Sequence, residues 1–457
     1  MKDLRRFLER LDGSELERVE REVHPADFDV TGLLQNLENE DRFPAVLFEN
    51  PTDMEGRETD IKLISNLFAD RRRIAKALDL SSDQWRMETS LEYARREENR
   101  LEPEVVPRKQ APVSAAEVPD LTYLPVVRHH RLDPAPYVNM TPTMKDPESG
   151  VYNVAFLRNM VKGPRKMGVH MSPRHNYRIF QTNKERGEPT RMAVVCGHHP
   201  SYYLGSLTLA GFEVDEYDVI GGMLGEPLRL TPSETWGEEF LVPADAEVVI
   251  EAEIRPDDLE VEAPFGEFPG YYGPQRLKPV VDVHHISRRE NAIFQHAFVG
   301  HRDVAILGSV PKEGGIYRDI AGRVPNVEQV HLPESGCGRF RCYVSVDQDT
   351  EGEAKHAALQ AMASSDFIKQ VIVTDADVDA FDETEVLWAV STRMRADEDI
   401  DIIRNVKGNT LDPSVKGEVA GSKMIIDATK PMNEQYPPQL DIPRDALERM
   451  QPEEFIE

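Results

Sequence analysis

Glu262 and Glu267 flank the turn Ala263-Pro264-Phe265-Gly266, and Phe268, Tyr271 and Tyr272 follow closely. Five residues apart, two side chains on a regular strand face opposite sides. Pro and Gly between them favour a tight turn, which can bring both carboxylates into one pocket. An aromatic wall raises the pKa of a buried carboxyl and prepares it to donate a proton near neutrality. Carboxylate pairs also occur in ordinary acidic loops, so upstream residues must decide. Asn153, His175 and Glu216 offer an amide oxygen, an imidazole nitrogen and a carboxylate. That hard, oxygen-rich set suits Mn²⁺ or Mg²⁺ better than zinc, which attracts more Cys and His. Arg158 lies five residues past Asn153. Both reach one site only if a bulge or a strand end falls between them. Its planar guanidinium can hold a carboxylate bidentately. Lys162, Arg165, His170 and Arg174 then gather positive groups in an otherwise acidic chain, which suggests an anion cradle.

The motifs Asn153-Val154-Ala155-Phe156-Leu157-Arg158, Lys162-Gly163-Pro164-Arg165, Pro173-Arg174-His175, Glu216-Tyr217 and the Glu262/Glu267 turn occur in that order. In that order they resemble the UbiD-type decarboxylases, which use prenylated FMN. Leu4-Arg5-Arg6-Phe7-Leu8 and Val19-Glu20-Arg21-Glu22-Val23 look like that family's opening. Leu387-Trp388-Ala389-Val390-Ser391-Thr392-Arg393 and Gly421-Ser422-Lys423-Met424 look like its closing motifs. The likeness thus runs from about residue 4 to about residue 428.

The resemblance implies an α/β (α+β) architecture in three parts. These are an N-terminal α/β domain over residues 1–110, a central split β-barrel holding the flavin over 111–305, and a C-terminal α/β oligomerisation domain with its tail over 306–457. It implies that Asn153, His175 and Glu216 hold a divalent metal, manganese or magnesium, which bridges to the flavin phosphate. Potassium is a further ion it suggests. Phe156, Leu157, Arg158, His170, Met171, Ser172, Arg174, His175 and Ser206 fall at its cofactor-binding positions. Arg158 would orient the substrate carboxylate, Glu262 hold and polarise Arg158, and Glu267 supply the proton. The expected reaction is reversible, non-oxidative loss of CO₂ from an aromatic, heteroaromatic or α,β-unsaturated acid. A flavin prenyltransferase would supply the cofactor, and a homo-oligomer is expected. An FMN-dependent reductase and a non-catalytic subunit of a decarboxylase assembly stay open as alternatives. One departure stands out: the family turn reads Glu-Gly-Pro where this chain has Glu262-Ala263-Pro264. Alanine takes a positive φ only at a cost, so the turn either never needs glycine or is reshaped.

Composition narrows the partners. The net charge of −28 excludes nucleic acid and anionic membranes as natural ligands. Arg exceeds Lys more than twofold and the acids are dispersed, a balance that suits a high-salt cytoplasm. No run of eighteen apolar residues occurs, and the start Met1-Lys2-Asp3-Leu4 is charged. Neither a membrane span nor a signal peptide is expected. Cys196, Cys337 and Cys342 show neither disulfide nor zinc spacing and read as reduced, buried thiols in a cytoplasmic protein.

Periodicity sketches the elements that position these residues. Leu4, Phe7, Leu8 and Leu11 predict a helix capped by Asp3 and ended by Gly13. Ala45–Phe48 reads as a buried strand, and Leu67, Ile74 and Leu78 as one face of an Arg-rich helix. Residues 101–125, dense in Pro, Ala and Glu, read as a linker or crossing segment. The middle is strand-rich at Ala193–Cys196, Val248–Ala252 and Val280–Val283. Later, strands at Cys342–Val346 and Gln370–Val373 alternate with helices at Glu353–Ala363 and Glu383–Thr392. Asp375-Ala376-Asp377-Val378-Asp379 lacks the Gly and Glu of a calcium loop and reads as a strand end leading to a helix near Asp382. The pairs His129-His130, His198-His199 and His284-His285 would point to opposite faces of strands. His301, after a strand, is a candidate lining residue for the substrate pocket.

Overall fold

A computed structural model of the chain describes residues 2–415 and 420–455. Helices and strands mix along its whole length, as the alternating patterns imply. Asp3 caps the first helix, Leu4–Leu8, by accepting from the Arg6 N–H at 2.9 Å. The helix buries Leu4, Phe7 and Leu8 but stops well before Gly13, which does not end it. Ala45–Phe48 lies inside a four-stranded sheet ordered Leu16–Val19, Ala45–Phe48, Lys62–Ser65, Ile293–Gln295. The Arg-rich helix is shorter than its apolar spacing suggests. Asp70 caps it at Arg71, so Leu67 falls in the preceding turn and Leu78 just past its end.

Residues 101–125 cross the molecule as short strands and 3₁₀ turns. Val106, Val113, Val118, Leu121 and Leu124 are buried along the way, so the segment is packed rather than a free linker. The largest sheet has nine strands. Its main path runs Tyr137–Val138, Arg158–Gly163, Lys166–His170, Arg276–Arg288, Val248–Glu262, Thr190–Cys196, Thr141–Lys145, Tyr152–Val154. The long strands Val248–Glu262 and Arg276–Arg288 pair antiparallel and carry Glu262 at their far end, opposite Arg276. A break over residues 155–157 separates the Asn153 strand from the Arg158 strand. This strand end lets both residues serve one region.

The long helix Arg302–Ala321 leads into a five-stranded sheet ordered Val327–His331, Arg341–Val346, Gln370–Asp375, Ala420–Ala428, Ile400–Lys407. Helix Glu353–Ser364 buries Ala354, Ala357, Ala358 and Ala361, a small-residue stripe at helical spacing that packs against this sheet. Asp382 caps the helix Glu383–Arg393 just after Gln370–Asp375 ends, the arrangement expected from the acid run. Arg393 from that helix is buried against Asp377 at 2.9 Å. Glu313, midway along the 302–321 helix and fully buried, ties the first and last parts together. It accepts from Arg71 at 2.8 Å, from the Leu332 N–H at 2.9 Å, and lies 2.9 Å from His331 Nδ1. Arg71 foremost holds its carboxyl far below the usual range despite burial.

Cys196 and Cys342 are buried free thiols, whereas Cys337 is only half-buried. Among the described residues, no helix is long and apolar enough to cross a membrane.

Candidate active site

Asp215 sets the frame of the first cluster. Its carboxylate caps the helix Glu216–Leu224 through the Tyr217 N–H at 2.9 Å and accepts from the Tyr152 N–H at 3.0 Å. One side chain thus fixes the start of that helix against the strand that bears Asn153. Glu216 then accepts from the Val154 N–H, and its Oε1 lies 3.9 Å from His175 Nδ1. Asn153 Oδ1 stands 3.1 Å from the same imidazole nitrogen, and its amide donates to Asn176 Oδ1 at 2.7 Å. The three ligand candidates therefore converge. Burial pushes the Glu216 carboxyl up to about 7, only partly opposed by His175 and the Val154 N–H. A buried carboxylate beside an amide oxygen and an imidazole is a hard donor set short of a cation, so these residues fit a divalent metal.

The second cluster is built on Arg158. Its Nε and Nη2 each donate to Glu262 at 2.9 Å, a bidentate pair in which Glu262 is fully buried. Its Nη1 is in direct contact with Glu267. Its guanidinium also sits 5.0 Å from the centre of the Phe265 ring. Burial opposes the charge on Arg158, but Glu267 and Glu262 outweigh it and hold its pKa up. Glu267 behaves differently. Burial raises its pKa, and Arg158 only partly cancels the effect, with Glu262 adding to the rise. The turn makes this possible. Phe265–Gly266 pairs with Tyr272–Gly273, and Gly273 leaves room for the Glu267 side chain, since a Cβ there would stand 3.0 Å from its Oε1.

Ala263 has φ +75°, so the turn does require the left-handed conformation that alanine resists. Ala263→Gly should relieve that strain by about 1 kcal/mol. The flexible unfolded chain offsets part of it. The variant is expected to unfold at the same or a higher urea concentration than the parent. A clearly lower midpoint would show that Ala263 is held by packing instead.

A cavity of ≈ 210 Å³ opens beside these groups. Phe156, Leu157, Arg158, His170 and Ser172 line it, with Glu267, Phe265 and Phe268. His170 Nδ1 is buried without a partner, and burial first, then Arg158, lowers the ring's pKa to about 3. A neutral, unsatisfied imidazole nitrogen on the wall fits a heteroaromatic ligand with polar edges such as a flavin.

Met171, Ser206 and Arg174 are not among the lining residues themselves, although Met171 lies between His170 and Ser172, Ser206 precedes Leu207, and these neighbours line the cavity. Met171 is buried in the core, and Ser206 donates to the Tyr203 carbonyl at 2.8 Å. Lys162 bonds Glu260 and the Val261 carbonyl, and Arg165 bonds backbone carbonyls of His284 and Pro119. Neither belongs to an anion cradle. Arg174 is exposed just before the helix His175–Glu185. Tyr271 and Tyr272 are exposed and do not wall Glu267. His301 does not line the cavity. It contacts Glu38 at 2.8 Å and stacks on Phe298 and His130. His129 and His130 lie outside strands and so share one side, with His129 Nε2 2.9 Å from His296. The cavity also takes Asn139, Leu307, Gly308, Arg339 and Leu411, which no sequence motif marks.

An arginine clasped by one buried acid and touched by a second lies beside a cavity and the Asn153, His175 and Glu216 trio, an arrangement that suits a carboxylic acid ligand. The chain matches models of the 3-octaprenyl-4-hydroxybenzoate carboxy-lyase family in three segments. The N-terminal domain matches at residues 9–87, the Rift-related domain at 104–302 and the C-terminal domain at 305–428. It belongs to this family, the UbiD carboxy-lyases, and is an enzyme of the decarboxylase class. The anhydromevalonate phosphate decarboxylase of Methanothermobacter thermautotrophicus is 30% identical over 403 residues, covering 85% of this chain and 91% of the relative. The phenolic acid decarboxylase of Sedimentibacter hydroxybenzoicus is 30% identical over 452 residues, covering 94% and 92%. The UbiD-class enzyme HmfF from Pelotomaculum thermopropionicum, solved in complex with FMN, superposes with a TM-score of 0.92 at 33% identity, covering 99% of this chain and 100% of that one. An evolved dimeric form of HmfF, solved in complex with prFMN, gives 0.89 at 32% identity and covers 100% of both chains.

Proposed function

We propose that the chain is a reversible, non-oxidative decarboxylase of aromatic, heteroaromatic or α,β-unsaturated carboxylic acids. It works with prenylated FMN and manganese or magnesium, with potassium as a further ion. The observation that carries this reading is Arg158, shared between Glu262 and Glu267 at the cavity wall. Relatives named for phenolic acids support the aromatic part of the range.

Phe156, Leu157, His170 and Ser172 would hold the flavin, which supplies the electron sink that a vinyl or aryl carbon needs as it loses CO₂. The chain's own residues do the rest. Glu262 locks Arg158 from behind, leaving Nη1 as the N–H that meets the cavity. A substrate carboxylate competes with Glu267 for that N–H. Glu267, displaced, loses the contact that lowers its pKa, so it takes up and holds the proton it will deliver. The C–CO₂ bond breaks with its electron pair kept on carbon, and Glu267 delivers the proton that completes the C–H bond. Hydride transfer has no use for an arginine shared by two acids, which sets the reductase reading aside. The intact clusters argue equally against a non-catalytic subunit.

The reading is tested by co-expression with a flavin prenyltransferase and a screen of carboxylic acids for CO₂ release. Protein that carries prenylated FMN yet releases CO₂ from none of them overturns it. The metal assignment has its own test. Glu216→Gln keeps the shape but removes the charge, so metal content and flavin retention should fall together. Full occupancy of both in the purified variant would refute the trio.

The division into 1–110, 111–305 and 306–457 is proposed with the same roles, a split barrel included, and is supported by the three matched segments. Self-association through the region after residue 305 is proposed as well. Leu387 and Trp388 are exposed there, and the edge strand Ile400–Lys407 exposes Ile402. Light scattering that returns only a 51.8 kDa particle would exclude it. Free thiols support a cytoplasmic setting.

A further inference from the structure

The chain carries 82 acidic against 54 basic side chains, and at the cavity Arg158 is paired with two of those acids. A second cation on the cavity wall, and one behind it, have no such partner among the described residues. Arg339 lines the cavity, with its guanidinium 4.4 Å from the centre of the Phe268 ring and, among the described residues, a single long side-chain hydrogen bond, 3.3 Å, to the Cys337 carbonyl. Lys312, one helical turn beyond the cavity residue Gly308, donates to the Gly308 carbonyl at 2.8 Å. Among the described residues neither makes an ion pair. Glu313, next to Lys312 in the chain, is already taken by Arg71 and His331. Gly308 is what admits the guanidinium, because a Cβ there would stand 2.2 Å from Arg339 Nη2.

We propose that Arg339, backed by Lys312, receives a second anionic group of the substrate, a carboxylate or a phosphoryl group, so that the natural substrate is at least a dianion. The inference rests on the decarboxylase reading and deepens it. Phe268, on which Arg339 stacks, directly follows Glu267, and all three line the same cavity as Arg158. The trio Asn153, His175 and Glu216, proposed to meet the flavin phosphate through a metal, lies on other elements. Arg158 would take the carboxylate that leaves, and Arg339 the group that stays. Burial foremost, then Arg339 and Arg174, lowers the Lys312 pKa to about 7, and an anion bound nearby would raise it.

The test compares matched acids that differ by one charge. Holoenzyme made with a flavin prenyltransferase is titrated calorimetrically with terephthalate against 4-methylbenzoate, isophthalate against 3-methylbenzoate, and mesaconate against tiglate. 4-Phosphonobenzoate reports a preference for a phosphoryl group. At least one dianion should bind about 10- to 100-fold more tightly than its monoanionic partner. Arg339→Met should erase that preference while leaving flavin content and monoanion affinity unchanged, and Arg339→Lys should restore part of it. No preference in any pair, or a preference that survives Arg339→Met, overturns the proposal. Flavin loss from Arg339→Met overturns it too, in favour of a contact with the flavin phosphate. Because binding is read without turnover, a failed CO₂ screen strikes the decarboxylase reading and leaves the charge test readable.

Discussion

Glu267→Gln is expected to keep flavin and metal yet lose steady-state decarboxylation by about 100-fold or more. The amide still fills the space that Gly273 leaves and can still meet Arg158, but it has no proton to give. The pH profile supplies a second reading. Burial sets the Glu267 pKa above its ordinary value, so the acid form is present below that pKa and is lost as pH rises through it. Turnover should therefore fall on the alkaline side of a limb set by Glu267. In Glu267→Gln the residual rate should not show that limb. Near-normal turnover with flavin and metal intact would place the proton donor elsewhere.

Arg158→Leu should be the most damaging single change. It leaves Glu262, fully buried, and Glu267 facing each other with no cation between them. Breaking a buried pair from one side costs about 3–5 kcal/mol. The variant should unfold at a much lower urea concentration and show no measurable turnover. Adding Glu262→Leu should recover much of the stability and none of the activity, because it removes the stranded charge without rebuilding the anchor. If Arg158→Leu unfolds at the same urea concentration as the parent, the pair does not anchor this turn.

How far the residues themselves announced this site depends on the range of the forces that place them. Asp3 before Leu4 and Asp382 before Glu383 are capping signals that act within three residues, and both helices begin there. Ala45–Phe48 is a buried strand because nothing in it tolerates water. Convergence of Glu262 and Glu267 could be foreseen because a Pro-Gly turn limits where two acids five residues apart can go, whereas the place of Arg158 beside them came only with the family resemblance. Lys162 and Arg165 misled because composition counts charges, whereas structure assigns partners. Lys162 is neutralised by Glu260, and Arg165 is spent on carbonyls. Arg339 and Leu411 were illegible for a different reason. They reach the cavity only through the packing of a distant segment, and no local pattern encodes that. His129 and His130 failed a rule for strands because they are not on one.

The cavity has two walls of different origin. Arg158, Phe265, Glu267 and Phe268 belong to the strands and turn before residue 275, while Leu307, Gly308, Arg339 and Leu411 come from after residue 302. If Arg339 receives the second anionic group as proposed, reaction and that part of recognition are written in separate stretches of the gene. Substitutions in the later stretch can explore new acids while the bond-breaking apparatus stays under its own selection. On this view the C-terminal part is an exchangeable cassette, and swapping it between relatives should carry substrate preference with it. Buried Glu313 marks the limit of such exchange. A donor cassette must bring an acid that Arg71 can accept, or the graft fails at the seam rather than at the pocket.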